Sequence, residues 1–312
     1  MIIIKDVFLF MYPLVYIFGT LGNLAAFIIF SRKRFGNSIF AVYFRILAIT
    51  DSYTLIYCLN DFSTIKFNKD IQNANPIFCK GFFYLLFSIS PVSAWILVMV
   101  SFDRMLKVKK PTGFTILKKR SFQLSYCAAL FVFNSAYYVP EILFKNMISL
   151  NETNNDTNIT ISSETCDYSD PDGIVGWMDL FNSTVFPFSF MIILSSLTVF
   201  FLVKSRLRVR NNAENVVRSR DIKFSVTSIA LNFSFLVLNL PLVILNILWV
   251  YSNFDDVDFE FYNSIVSIFF YINFGMLFYI NLFFNSIFRD EIKNIFRRNK
   301  RNLSSKQLNT IF

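Results

Sequence analysis

The sequence predicts an all-α integral membrane protein, a bundle of seven spanning helices with an amphipathic cytoplasmic helix after the seventh span. Three observations carry this reading. The 312 residues are 54% hydrophobic and only 16% charged, against about a quarter charged in a soluble domain. The apolar residues lie in seven long runs. Basic residues collect between alternate runs, while acids and glycosylation acceptors occupy the opposite connections.

A hydrocarbon core of ~30 Å needs roughly 20 apolar residues as a helix. Runs of that length fall at about 8–30, 40–63, 79–103, 121–144, 183–203, 224–250 and 262–287. The first run raises the alternative of a cleaved signal peptide. Only Lys5 precedes it, however, Arg32, Lys33 and Arg34 follow it, and it is longer than a signal core, so a retained helix is expected. With the amino terminus outside, the cytoplasmic connections carry all but six of the 30 Lys and Arg, close to helix ends where such charges set topology. The basic net charge of +9 is thus a topology signal, and no nucleic-acid partner is expected.

The outer connections are acidic. Asp255, Asp256, Asp258 and Glu260 precede the seventh run with no basic residue among them, and Asn151, Asn155, Asn158 and Asn182 open glycosylation sequons in or beside the long loop 145–182. Asn232 also opens a sequon but lies mid-helix, beyond reach of the glycosylation machinery. Cys58 and Cys127 sit inside apolar runs and read as small buried hydrophobes. Cys79 and Cys166 both face an oxidising compartment, so a bridge between them is expected, two free thiols being the alternative. After the seventh run, Phe288, Ile292, Ile295 and Phe296 recur at helical spacing, with Arg289, Lys293, Arg297 and Arg298 on the other face. This pattern suits a helix of about 288–299 lying on an anionic inner leaflet. A seven-span domain of 1–299 and a polar tail of 300–312 complete the organisation.

Several motifs stand in fixed register along this frame. Asp103-Arg104-Met105 ends the third run, followed by Val108 and Pro111, and Cys79 lies 25 residues before Arg104. Gly22-Asn23 falls in the first run, and Leu47 to Asp51 ("LAITD") in the second. Pro187 falls in the fifth, Phe235 to Pro241 ("FLVLNLP") in the sixth, and Phe288 to Phe296 ("FRDEIKNIF") follows the seventh. Together these resemble the rhodopsin-like (class A) G-protein-coupled receptor family from about residue 8 to 299. Within it, the invertebrate FMRFamide-like neuropeptide receptors are closest in character.

The resemblance implies a plasma-membrane receptor that binds an extracellular ligand and activates a heterotrimeric G protein. Arg104 would be held at rest by Asp103 and by Asp221, twenty residues before Pro241, and released when the sixth helix swings out. Asp51, Ser93 and Asn273 would form a sodium pocket. A carboxylate in mid-helix costs roughly 2.5–3.5 kcal/mol on insertion scales, which marks Asp51 as functional. The alternative is hydrogen bonding of Asp51 to Asn23 and Asn273 with no ion.

The family pattern is broken in places. Met105 replaces a tyrosine, Asn239 a tryptophan, the fourth run lacks its tryptophan, and Leu277 to Asn281 replaces Asn-Pro-x-x-Tyr. Pro140 and Pro241 are expected to kink their helices. Leu86 stands where amine receptors carry an aspartate, and the seventh run has no lysine for retinal. The acidic outer face suits a small cationic peptide, the alternative being a solvated loop surface.

Other classes have less to stand on. There is no internal repeat of the kind transporters show, little charge to line a channel beyond Asp51 and Arg45, and no histidine for an enzyme. A non-signalling or decoy receptor remains as the alternative function.

Overall fold

The computed structural model describes residues 2–35, 39–67, 69–109, 117, 119–154, 159–168, 174–208, 215–251 and 256–309. Side chains are described for 8–35, 40–67, 69–109, 117, 119–148, 165–167, 174–204, 222–248, 259 and 261–297. In chain order the elements are α1 (Ile2–Phe30), α2 (Ile39–Phe67), α3 (Pro76–Lys109), α4 (Arg120–Tyr137), α5 (Val139–Phe144), β1 (Lys145–Asn154), β2 (Ile159–Tyr168), α6 (Ile174–Asp179), a π-turn (Leu180–Val185), α7 (Phe186–Arg208), α8 (Asn215–Tyr251), α9 (Asp256–Phe284) and α10 (Ser286–Asn309). Among the described residues, seven helical stretches are long and apolar enough to cross a membrane. They are Phe8–Phe30, Phe40–Phe67, Pro76–Lys109, Arg120–Phe144, Ile174–Lys204, Ile222–Leu248 and Phe261–Phe284.

The outer loop and the fifth span differ from the sequence reading. Among the described residues of the supposed loop, 145–154 and 159–168 pair as an antiparallel hairpin, Met147 opposite Cys166. The fifth span starts near Ile174 rather than at 183. Asp179, expected in the outer loop, lies inside it and accepts a hydrogen bond from the Tyr138 hydroxyl at 2.9 Å. A partnered acid can enter a span that an unpartnered one cannot. Pro187 has no N–H and its ring crowds the carbonyl four residues back. The helix widens into a π-turn just before it, with the Phe186 N–H bonded to the carbonyl of Phe181.

Pro140 also acts locally. The fourth span breaks at Tyr138, whose backbone leaves the helical region (φ −93°, ψ 15°), and restarts as α5 with Pro140 in its first turn. By contrast α8 runs unbroken through Pro241.

Two clusters of side chains hold the bundle. At the end of the bundle that carries α10, Phe30 packs against Phe35, Phe44 and Phe288 at ring distances of 4.9–5.2 Å, which docks α10 onto the first two spans. Asn285 starts α10 as its N-cap, its Oδ1 accepting from the N–H groups of Ile287 and Phe288. Ile292 and Ile295 turn inward onto the same cluster, whereas Phe296 is exposed. Toward the opposite end, Tyr12, Leu55, Tyr57, Leu86, Ile268, Tyr271 and Phe274 form the second cluster. α1 and α9 meet through Gly19 and Gly275. A Cβ built on Gly275 would sit 3.0 Å from the Gly19 Cα, so only hydrogen fits there.

Candidate functional site

Polar groups inside this bundle collect at four levels. Nearest the end that carries α10 is the Asp103–Arg104 couplet. Arg104 is only 1% exposed, a depth at which a guanidinium needs partners. Its Nη2 donates to Asp103 Oδ2 at 2.9 Å, and Lys107 Nζ lies 3.1 Å from the same oxygen. The guanidinium carbon stands 3.6 Å from the centre of the Phe40 ring on α2 and 5.7 Å from Phe224 on α8. Those two rings stack on each other at 5.1 Å and 19°. Arg104 is therefore held by a carboxylate on its own helix and by an aromatic pair that joins the second and sixth spans. Sequence reasoning missed Phe40 and Phe224 because nothing in an apolar run marks one phenylalanine among 41 as a cation partner. Val108 is half-buried on the same helix. Pro111 lies outside the described residues, and the side chain of Asp221 outside the described side chains.

One turn deeper, Asn232 Nδ2 on α8 donates to Ser101 Oγ on α3 and to Ser195 Oγ on α7, each at 2.8 Å. Farther in, Ser93 Oγ donates to Asp51 Oδ1 at 2.6 Å and is itself bonded to Thr50 Oγ1 at 2.8 Å. Asp51, Ser93, Ser234, Phe235 and Asn273 share a cavity whose free volume, about 20 Å³, accommodates about one water-sized sphere. Leu277 also lines it, in the register where the family resemblance expects an asparagine.

Two asparagines marked in the sequence make other contacts. Asn23 does not pair with Asp51; its Nδ2 donates to the carbonyl of Phe274 on α9 at 2.9 Å, tying the first span to the seventh. Asn239 donates to Phe235 O at 2.7 Å within its own helix. A side chain satisfied by its own helix makes no tie to another. Pro187 follows the π-turn of the fifth span, and Pro241 lies inside the unbroken helix of the sixth.

The outer level is closed by the hairpin. Cys79 and Cys166 are bridged, with Cα atoms 5.5 Å apart, and the Cys166 N–H donates to Asn73 Oδ1 at 2.9 Å. At the hairpin's base Lys145 is nearly buried, 3.7 Å from Glu141 Oε1 and 3.8 Å from the centre of the Phe83 ring. Burial brings its pKa down to about 8, with Glu141, Asp70 and Asp167 opposing the fall. Below the mouth, Asp61 is half-buried and accepts from the Tyr271 hydroxyl at 2.7 Å. Tyr12 lies beside Tyr271, ring centres 6.2 Å apart. Sequence reasoning missed Asp61 too, although a carboxylate ten residues beyond Asp51 in one apolar run is a legible signal.

Asn182 requires a correction. Its Nδ2, the atom a glycan would occupy, donates to Asn134 Oδ1 at 2.7 Å and lies 3.3 Å from the Tyr138 hydroxyl, while its Oδ1 accepts from Trp95 Nε1 at 3.1 Å. It is buried inside the fifth span and is a packing residue, not a glycan acceptor. Asn155, Asn158 and Asp255 lie outside the described residues; Asn151, Asp256, Asp258 and Glu260 have only their backbone described, in β1 and α9.

Comparison with known proteins agrees with this architecture. The chain is similar to cholecystokinin receptor type A of Oryctolagus cuniculus, 24% identical over 147 residues, and to those of Canis lupus familiaris and Homo sapiens, each 22% identical over 147 residues. Each match covers 47% of this chain and 34% of the relative, so the matched part spans about a third of the relatives' length. A sequence model described as "7 transmembrane receptor (rhodopsin family)" matches residues 22–289. The chain belongs to the rhodopsin family of seven-transmembrane receptors.

Proposed function

We propose that this protein is a cell-surface receptor in the plasma membrane, its amino terminus outside, that binds an extracellular peptide and activates a heterotrimeric G protein. The observation that carries the reading is the state of Arg104, a fully charged side chain buried at the cytoplasmic end by contacts that span three helices. Such a cation becomes available to a partner only if those helices part. A ligand achieves this if it binds the parted arrangement more tightly than the closed one. Asp221 joins the resting latch in this proposal. It lies three residues before Phe224, hence on the same helix face.

Similarity to receptors named for cholecystokinin supports a peptide ligand. A cationic peptide, in the manner of the FMRFamide-like class, is supported by the acids of the outer connections and by Asp61, whose carboxylate accepts from Tyr271 beside Tyr12. Asp51, Ser93 and Asn273 supply oxygen ligands for a sodium ion, though Leu277 leaves the set one donor short. A bound sodium would neutralise Asp51 and favour the closed packing around it. The tail helix α10 fits against membrane lipid.

The test is a peptide-library screen on cells reporting calcium and cyclic AMP, with nucleotide exchange on reconstituted receptor as the direct assay. Agonist-driven exchange that Arg104→Ala abolishes while binding persists is the expected result. A second reading, a non-signalling decoy, is favoured by Asn239, which replaces the family's tryptophan and bonds only its own helix. Peptide binding without exchange at any concentration would replace the first reading with the second.

A further inference from the structure

The Asn232 cluster is a polar tie whose place in the fold suggests a regulatory role. α8 is the sixth span, and Pro241 lies nine residues from Asn232, about 13 Å along the helix. Proline removes one backbone hydrogen bond from the ladder. The segment on the cytoplasmic side of Pro241 can therefore pivot more easily than a continuous helix. On that segment Asn232 is 3% exposed, and both of its amide hydrogens are committed to other helices, one to Ser101 on the third span and one to Ser195 on the fifth. Ser101 donates in turn to the Leu97 carbonyl and lies 3.4 Å from Ser228 Oγ, so its own oxygen is oriented to accept. Asn232 Oδ1 makes no hydrogen bond among the described residues. Its attachment is through the amide nitrogen alone.

We propose that Asn232 is a neutral tie that holds the cytoplasmic half of the sixth span against the third and fifth in the resting receptor. This inference deepens the signalling reading and rests on it for its consequence, though its geometry stands without it. Ser101 lies three residues before Arg104, one turn deeper on the same face. The charged couplet and the amide tie thus act in series on one opening motion. They differ in chemistry. The couplet at Arg104 is a buried ion pair, whereas the Asn232 bonds join uncharged groups, on which ionic strength has no direct effect. In the bilayer no water competes for the amide, so parting the helices strands both hydrogens until new partners are found. Interhelical bonds of this type average about a three-fold effect on an equilibrium, so two contribute about eight-fold.

The test measures helix separation directly in full-length receptor. Spin labels on Lys119→Cys, at the start of α4, and Lys223→Cys, on α8, report the distance across the cytoplasmic end. Both positions are exposed, and the free cysteines Cys58 and Cys127 are buried. Without ligand, Asn232→Leu is expected to raise the ratio of long to short distances about eight-fold, and Ser195→Ala about three-fold, both independent of ionic strength. In the combined variant Ser195→Ala should add nothing to Asn232→Leu. Unchanged distances in both single variants, or a salt-dependent change, would overturn the tie. Should Asn232→Leu fail to insert, Ser195→Ala, on a half-exposed residue, carries the test alone. Basal nucleotide exchange measured on the same samples separates the two ideas. Longer distances without exchange would uphold the tie and refute coupling to a G protein.

Discussion

Replacing Phe40 by leucine should raise ligand-independent signalling. The ring does two things in the closed bundle: its face lies 3.6 Å from the Arg104 guanidinium carbon, and it stacks on Phe224 at 5.1 Å. A desolvated cation–π pair contributes about 2 kcal/mol and an aromatic pair about 0.5–1.5 kcal/mol. Leucine refills most of the volume, which keeps the cavity cost small. An interaction shifts the equilibrium only if opening breaks it. The Phe40–Phe224 stack breaks when the sixth span leaves. The cation–π pair weakens only as far as Arg104 turns to its new partner. Taking the stack and about half of the cation–π energy gives about 1.5–2.5 kcal/mol, or roughly 10- to 60-fold in the ratio of open to closed receptor. Phe224→Leu removes the stack and the longer Arg104 approach, so its effect should be smaller. The assay is basal nucleotide exchange on reconstituted receptor, normalised to the amount of folded protein. Wild-type basal exchange in Phe40→Leu, or a larger effect from Phe224→Leu, would show that the rings do not restrain Arg104.

Three other outcomes are expected. Cys79→Ala and Cys166→Ala should each reduce surface delivery, and the double variant should be no worse than either, as flow cytometry of tagged receptor would report; additive losses would contradict the bridge. The pH dependence of stability should carry a contribution from Lys145, whose pKa falls from 10.5 to about 8 on folding. Between those values the unfolded chain binds more protons, so stability from this group rises as pH increases from about 8 to 10 and is flat below. Melting curves of detergent-solubilised protein should show that rise, and Lys145→Met should abolish it. Gly275→Val should lower the melting temperature, because its Cβ would lie 3.0 Å from the Gly19 Cα and force α1 from α9 at a cost of about 1–3 kcal/mol.

The sequence by itself determined the membrane and the number of spans. Both follow from a one-dimensional quantity, because a bilayer's thickness sets the length of an apolar run. It also pointed to the partners Cys79 and Cys166, because two of the four cysteines lie deep in apolar runs, whereas Cys79 only opens one and Cys166 lies outside them. The positions of Asp51 and Arg104 were legible for a related reason, since a charge within a greasy run is conspicuous. What only the tertiary structure decided is which neutral side chains those charges meet. Phe40 and Phe224 differ from the other phenylalanines only in lying against Arg104, and Asn232 differs from Asn239 only in facing other helices rather than its own. The start of the fifth span escaped for the same reason. Asp179 reads as a loop residue until Tyr138, forty-one positions away, supplies the hydrogen bond that lets it enter the bundle. Hydropathy sums the cost of each residue alone, whereas a polar group's cost inside a membrane depends on a partner that the fold brings to it.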